Sequence, residues 1–161
     1  MAEWSLVAGA IVAAALVFGY YALFVQGQGE LSTLQRTVGA LRSSLAVEAL
    51  RLHVQATAPS GRPVPMNPFE LLDRLPTNYR AEPLDPGALG PVASPGTWVY
   101  DHICSCVGYR PIDGRWLDSP SGDTMVWFYV MDGPVQNGRG ATQPLQLIAR
   151  EAYRWQGQLI D

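Results

Sequence analysis

The chain has 161 residues, 48% of them apolar, with 11 arginines, no lysine and a net charge of −3. An acidic balance of this kind leaves no electrostatic footprint for nucleic acid. Two cysteines, Cys104 and Cys106, are too few for a disulfide framework, and the 13 prolines and 16 glycines, mostly beyond residue 56, make the rear of the chain loop-rich and β-leaning.

Residues 4–25 form one apolar run, WSLVAGAIVAAALVFGYYALFV, without charge or proline, and no charge follows before Glu30. At about 1.5 Å per residue the run reaches about 33 Å, against a hydrocarbon core of about 30 Å. Trp4 at one end and Tyr20 and Tyr21 near the other sit where interfacial anchors lie. A cleaved signal peptide would have a basic front and a shorter apolar stretch, so the run reads as an uncleaved single-pass anchor in the lipid bilayer. Charge alone does not orient it: Glu3 lies on one side, Arg36 and Arg42 on the other. Gly9 and Ala13 have small-xxx-small spacing, which suits close approach of a partner helix.

Beyond Gln26 the spacing of Leu31, Leu34, Val38, Leu41 and Leu45 alternates by three and four residues, a heptad seam. Val47, Leu50 and Val54 suggest a broader, rotated apolar face that packs onto a globular body. One helix over about residues 3–56 is the simplest reading, with a possible bend at Gly27 and Gly29 and a stop at Pro59 and Gly61. The seam suits either packing onto the chain's own domain or self-association as a coiled coil.

Residues 57–66 read as a linker. A short helix over 68–75 follows, with Asn67 as N-cap, Pro68 in the first turn and Glu70 completing a capping box. Residues 76–95, with five prolines, read as irregular loop. Strands are predicted over 97–102, 107–110, 124–131 and 145–155, separated by turns at 103–106 and 118–123 and a loop over 133–143. The fold class is therefore α+β: a long N-terminal helix, half transmembrane and half amphipathic, packed on a small antiparallel sheet of about four strands. Residues 1–26 are the anchor, 27–56 the stalk and 57–161 the β domain. The spacing 98/100 and 127/129 places each aromatic pair on one sheet face, so Trp98, Tyr100, Trp127, Tyr129 and Trp155 read first as core residues.

Three runs carry a family resemblance: Asn67-Pro68-Phe69 leading into Leu71-Leu72; Asn78-Tyr79; and Gly96-Thr97-Trp98-Val99-Tyr100-Asp101 followed by Val107-Gly108-Tyr109-Arg110-Pro111. With Tyr153-Arg154-Trp155 at the end, the chain resembles type IV pilin-like proteins. Among these it is most similar to membrane-anchored accessory proteins of MSHA-type pilus and type II secretion biogenesis. The resemblance implies a bacterial inner-membrane protein with a periplasmic C-terminal domain. Its partners would be other assembly proteins or pilin subunits, or a second copy of itself, and it would have neither enzymatic activity nor a cofactor. Pilins carry a short basic leader ending in Gly and a glutamate early in the mature helix. This sequence departs from both, its early carboxylate being Glu3, which favours an accessory component over a filament subunit.

Chemistry-bearing residues are sparse. His102, Cys104 and Cys106 offer three soft ligands for zinc or copper, though not at a zinc-finger spacing; a Cys104–Cys106 disulfide or a plain turn are the other readings. Asp101 and His102 are adjacent on a strand and diverge. Asp113, Asp118, Asp123 and Asp132 sit beside Gly, Pro or Ser, as turn-forming carboxylates do. The resulting expectation is a non-enzyme whose candidate interaction face is Gly9, Ala13, Leu31, Leu34, Val38, Leu41 and Leu45. The other readings are a coiled-coil scaffold of an envelope complex and a metal or redox module at the cysteine hairpin.

Overall fold

The structure is a computed structural model that describes residues 2–53, 64–80, 93–132 and 145–160. The helix end expected at 54–56, the linker up to residue 63, most of the proline-rich stretch and the loop over 133–143 lie outside the described residues. The chain divides into two units, Met1–Leu34 and Gln35–Asp161, with the division inside the long helix.

Helix α1 runs over Ala2–His53, and the structure is α+β. Its front is apolar on every side: Ile11, Leu16, Phe18, Tyr20 and Tyr21 are all largely exposed. A helix that is apolar all round has no polar face to turn to water, which is the pattern of a bilayer span. By length and composition this is the one candidate span among the described residues. Further along, the seam residues Leu31, Leu34, Val38, Leu41 and Leu45 are all buried.

Within the second unit, Asn67 accepts a hydrogen bond from the Phe69 amide at 3.2 Å and starts a 3-10 turn over Pro68–Leu71. The expected helix over 68–75 stops there. The Leu72 amide closes back onto the Phe69 carbonyl and Leu72 itself is already extended. Glu70 does not complete a capping box through the Asn67 backbone but accepts from its side-chain amide at 3.3 Å. Strand β1 (Tyr79–Arg80) then pairs in parallel with β2 (Thr97–Asp101), which pairs antiparallel with β3 (Cys106–Arg110). After a second 3-10 turn over Gly114–Trp116 come the short β4 (Leu117–Asp118) and the long β5 (Val126–Met131). The chain ends with β6 (Gln146–Ala149), β7 (Arg154–Trp155) and β8 (Gln158–Leu159).

The strands form a five-stranded sheet in the order β1-β2-β3-β5-β6 and a separate ribbon in the order β4-β7-β8. The main sheet is therefore mixed and not wholly antiparallel as the sequence suggested. The addition is β1, seated by Asn78, whose side chain donates to the Gly96 carbonyl at 2.8 Å while its own carbonyl accepts from the Trp98 amide. The single strand expected over 145–155 is also two. The Arg150 amide still bonds to the Trp127 carbonyl, but the Tyr153 amide turns back to the Glu151 carbonyl. The chain there leaves the main sheet and Trp155 pairs with Leu117 in the ribbon.

Strand register decides which side chains share the core. Trp98 faces Tyr109 across the β2–β3 pair, and Val107 faces Phe128 across β3–β5, so these alternate positions lie on one face. Trp98 touches Tyr109 and Phe128 at ring-centre distances of 4.8 and 6.3 Å, and Phe69 from the 3-10 turn reaches Trp98 at 5.9 Å. The helix stripe Val38, Leu41 and Leu45 is buried in the same unit, and Arg42 beside it donates to the Leu147 carbonyl of β6 at 3.4 Å. On the opposite face Trp127 lies over Gly108, where an added Cβ would stand only 2.5 Å from the indole Cζ3 and 2.9 Å from the Met125 Cε.

Two substitutions probe this core. Leu41 is wholly buried, so Leu41→Ala is expected to destabilise the protein by about 2–5 kcal/mol. Gly108→Ala forces Trp127 off its seat and is expected to cost about 1–3 kcal/mol. Guanidinium titration of the detergent-solubilised chain, followed by tryptophan fluorescence, measures both; a Gly108→Ala midpoint equal to that of the parent protein would contradict the close approach.

Candidate functional site

Among the described residues, three places combine open surface with a shape or chemistry that could meet another molecule. The first is the front of α1. Among the described residues, and apart from its own stretch of helix, nothing lies within 4 Å of where a Cβ on Gly9 would be. Further along the same unit Ala13, Ala14, Val17, Phe18, Tyr21 and Ala22 border a shallow apolar groove on the helix surface. Small residues let another helix approach closely in lipid, where packing rather than water exclusion drives association. Of the seven residues expected to form an interaction face, Gly9 and Ala13 are thus open, whereas Leu31, Leu34, Val38, Leu41 and Leu45 are buried.

The second place is the β2–β3 hairpin. Its turn is set by Asp101, whose carboxylate accepts from the Ile103 amide at 2.7 Å, and by Ser105, which adopts the left-handed conformation with φ of 53°. Cys104 and Cys106 are joined as a disulfide across that residue. Cys106 lies in β3 and is buried, Cys104 is half-buried in the turn, and His102 and Ile103 are exposed at the tip. The metal-ligand set suggested by the sequence changes accordingly. Ligand atoms of Asp101, Cys104 and Cys106 lie within 4.8 Å of one another, so that Asp101 takes the place expected for His102. Such a set would need both sulfurs as thiolates, a state the disulfide excludes. Burial raises the Tyr100 phenol above its ordinary value, with a hydrogen bond to Ser105 acting in the opposite direction.

The third place is the edge of the main sheet at β6 and the corner beyond it. Arg42, Ala46, Leu147, Ile148, Glu151 and Leu159 border an open groove of about 590 Å³. Its polar end is fixed by Glu151, which accepts hydrogen bonds from Ser119 and from Ser121. Chiefly the Ser119 hydroxyl, helped by Ser121, holds the Glu151 carboxyl below the usual carboxylate range. Arg150 pairs with Asp123 at 3.3 Å, and Asp113 caps the second 3-10 turn while gripping Arg115. The Asp113 carboxylate therefore serves its own turn, as its neighbours in sequence suggested, whereas the Asp123 carboxylate reaches 27 residues along the chain to Arg150. The serine–glutamate knot was not legible beforehand, because 30 residues separate Ser121 from Glu151 and no local spacing marks such a pair.

No protein-family model, no curated protein and no solved structure matches this chain. Its function has to be read from these places alone.

Tyr153 supplies a pH test of the corner. Its side chain is fully buried, and burial pushes the phenol from the ordinary value of 10.0 up to about 12. Since the folded value lies above the unfolded one, the stabilisation is complete below pH 10 and is lost as pH rises towards 12, where the unfolded chain ionises first. The unfolding free energy is expected to fall over that window, by roughly 2–3 kcal/mol, and Tyr153→Phe should flatten the fall. An equally steep fall in the Phe variant would assign the effect elsewhere. Glu151 acts with the opposite sense: its contribution is present above the ordinary carboxylate range and fades as pH falls through its lowered value.

Proposed function

We propose that this is a non-enzymatic, single-pass, pilin-like protein of the bacterial inner membrane, with its C-terminal domain in the periplasm. It acts by protein–protein contact in assembling a type IV or MSHA-type pilus or a type II secretion apparatus. The observation that carries the reading is the change of character along one helix. The front of α1 is apolar and exposed on all sides, whereas Val38, Leu41 and Leu45 are buried in the unit that contains the sheet. A helix of that kind tethers a small domain to a bilayer and keeps an apolar flank for other transmembrane helices.

The motif residues behind the family resemblance support the same reading. Asn67, Phe69, Tyr79, Trp98 and Tyr109 come from three separate runs, yet they touch one another in sequence. The Asn67 amide donates to the Tyr79 hydroxyl at 3.0 Å, Phe69 stacks on Tyr79 at 4.3 Å, and Trp98 joins Phe69 to Tyr109. The coiled-coil alternative draws no comparable support, since its seam is already buried.

Crosslinking in native membranes tests the proposal. A photocrosslinker at Ile11 is expected to capture membrane proteins of a pilus or secretion machine, and Gly9→Leu with Ala13→Leu should reduce that capture several-fold while carbonate-resistant membrane association persists. Because no described residue beyond the local helix backbone lies within 4 Å of a Cβ at Gly9, an internal clash among the described residues does not account for such a loss. Unchanged capture would reject this face, and a C-terminal reporter active only in the cytoplasm would reject the topology.

A further inference from the structure

The bridge between Cys104 and Cys106 contributes little to the fold. A crosslink stabilises chiefly by removing loop entropy from the unfolded chain, and that effect shrinks with the length of the loop closed. Here only Ser105 lies between the two cysteines. The hairpin is moreover held independently, by a five-residue antiparallel register from Thr97↔Arg110 to Asp101↔Cys106. The two strands would stay paired with the sulfurs reduced.

The sulfurs are also unequal. Cys106 is 3% exposed in its strand, whereas Cys104 is half-buried in the turn, beside Ile103, which is 75% exposed at the hairpin tip. An incoming thiolate therefore reaches Cys104 first. In the bridged form the Cys104 sulfur lies 3.8 Å from the Asp101 carbonyl oxygen, so that oxygen is at hand to accept a weak hydrogen bond from the thiol that reduction would create. The exposed Ile103 gives a protein partner an apolar contact next to the accessible sulfur.

We infer that Cys104 and Cys106 form a thiol–disulfide exchange site whose substrate is an external dithiol. A thiolate of the dithiol attacks the Cys104 sulfur, the bond between the two cysteines breaks, and Cys106 leaves as a thiolate that takes up a proton. The second thiol of the substrate, deprotonated, attacks its own sulfur in the mixed disulfide and releases the Cys104 thiolate, which is protonated in turn. The substrate loses two electrons and two protons and becomes a disulfide, and the cysteine pair gains both. The low entropic stabilisation of so short a loop places the equilibrium where ordinary cellular thiols can move it. This chemistry is independent of the membrane partner proposed above.

The test uses the full chain in detergent. After equilibration in a graded series of reduced and oxidised glutathione, free thiols are trapped with a maleimide and counted by mass. Half-reduction is expected inside the series, with far-ultraviolet circular dichroism and thermal midpoint nearly unchanged. A bridge that stays closed throughout the series, thiols that remain free in oxidised glutathione, or unfolding on reduction would each overturn the proposal. Two variants test the inequality of the sulfurs: Cys106→Ser, which leaves the accessible sulfur, is expected to form a mixed disulfide with glutathione at least ten-fold faster than Cys104→Ser. Equal rates would remove the assigned point of attack.

Discussion

The second unit depends on one aromatic chain of contact centred on Trp98. Its strands are short, between two and six residues each, and strands of that length do not persist without a packed face. Trp98 supplies the centre of that face, touching Phe69 on one side and Tyr109 and Phe128 on the other. Offset and edge-on ring pairs of this kind add to the burial of their area. Two asparagines fix the approach: Asn67 caps the turn that presents Phe69 and bonds to Tyr79, and Asn78 ties β1 to the start of β2. Without these polar clips the ring of Phe69 would have no fixed angle onto the sheet.

The sheet is finished by a corner that moves the chain from one sheet to another. At residues 150–153 the strand leaves β5, and Tyr153 and Trp155 are carried into full burial, Trp155 lying 6.0 Å from Trp116. A free strand end at that place would extend the main sheet. Glu151 prevents it by gathering the Ser119 and Ser121 hydroxyls, which tie the corner to the turn before β5. Gly108 plays a complementary part on the far face, where its missing side chain lets Trp127 lie against the strand. The two faces are thus packed by different means, one by interlocking rings and the other by a ring on bare backbone.

The front of the helix was legible from the length of its apolar run and the rear from the three-and-four spacing of Leu31, Leu34, Val38, Leu41 and Leu45. Alternation likewise located β2, β3 and β5, whose residues Thr97, Val107 and Val126 fall inside the expected runs. What the sequence concealed was whatever depends on distant partners. Tyr79 and Arg80 carry no strand signal and become one only because Asn78 anchors them to β2. Residues 145–155 read as one strand because Gln146–Ala149 and Arg154–Trp155 both alternate, and nothing local shows that Glu151 bends the chain between them. The cysteine hairpin was legible as a set of possibilities, and the pairing across Ser105 follows from the tight turn that positive φ creates there.

Folding and function divide the residues between them. The side chains of the motif residues Asn67, Phe69, Asn78, Trp98 and Tyr109 are engaged in holding turn to sheet, and the one indole nitrogen among them, Trp98 Nε1, is buried away from solvent. The helical seam is similarly occupied, because Val38, Leu41 and Leu45 are already out of solvent. Among the described residues the fold leaves open the apolar front of α1 with Gly9, the exposed tip of the cysteine hairpin, and the groove along β6. Only the first of these is suited to lipid, since an exposed apolar surface of that extent in water would itself call for a partner. The helix front is therefore the part of the chain that is long and apolar enough to cross a bilayer, whereas the hairpin and the groove belong to the unit that contains the sheet.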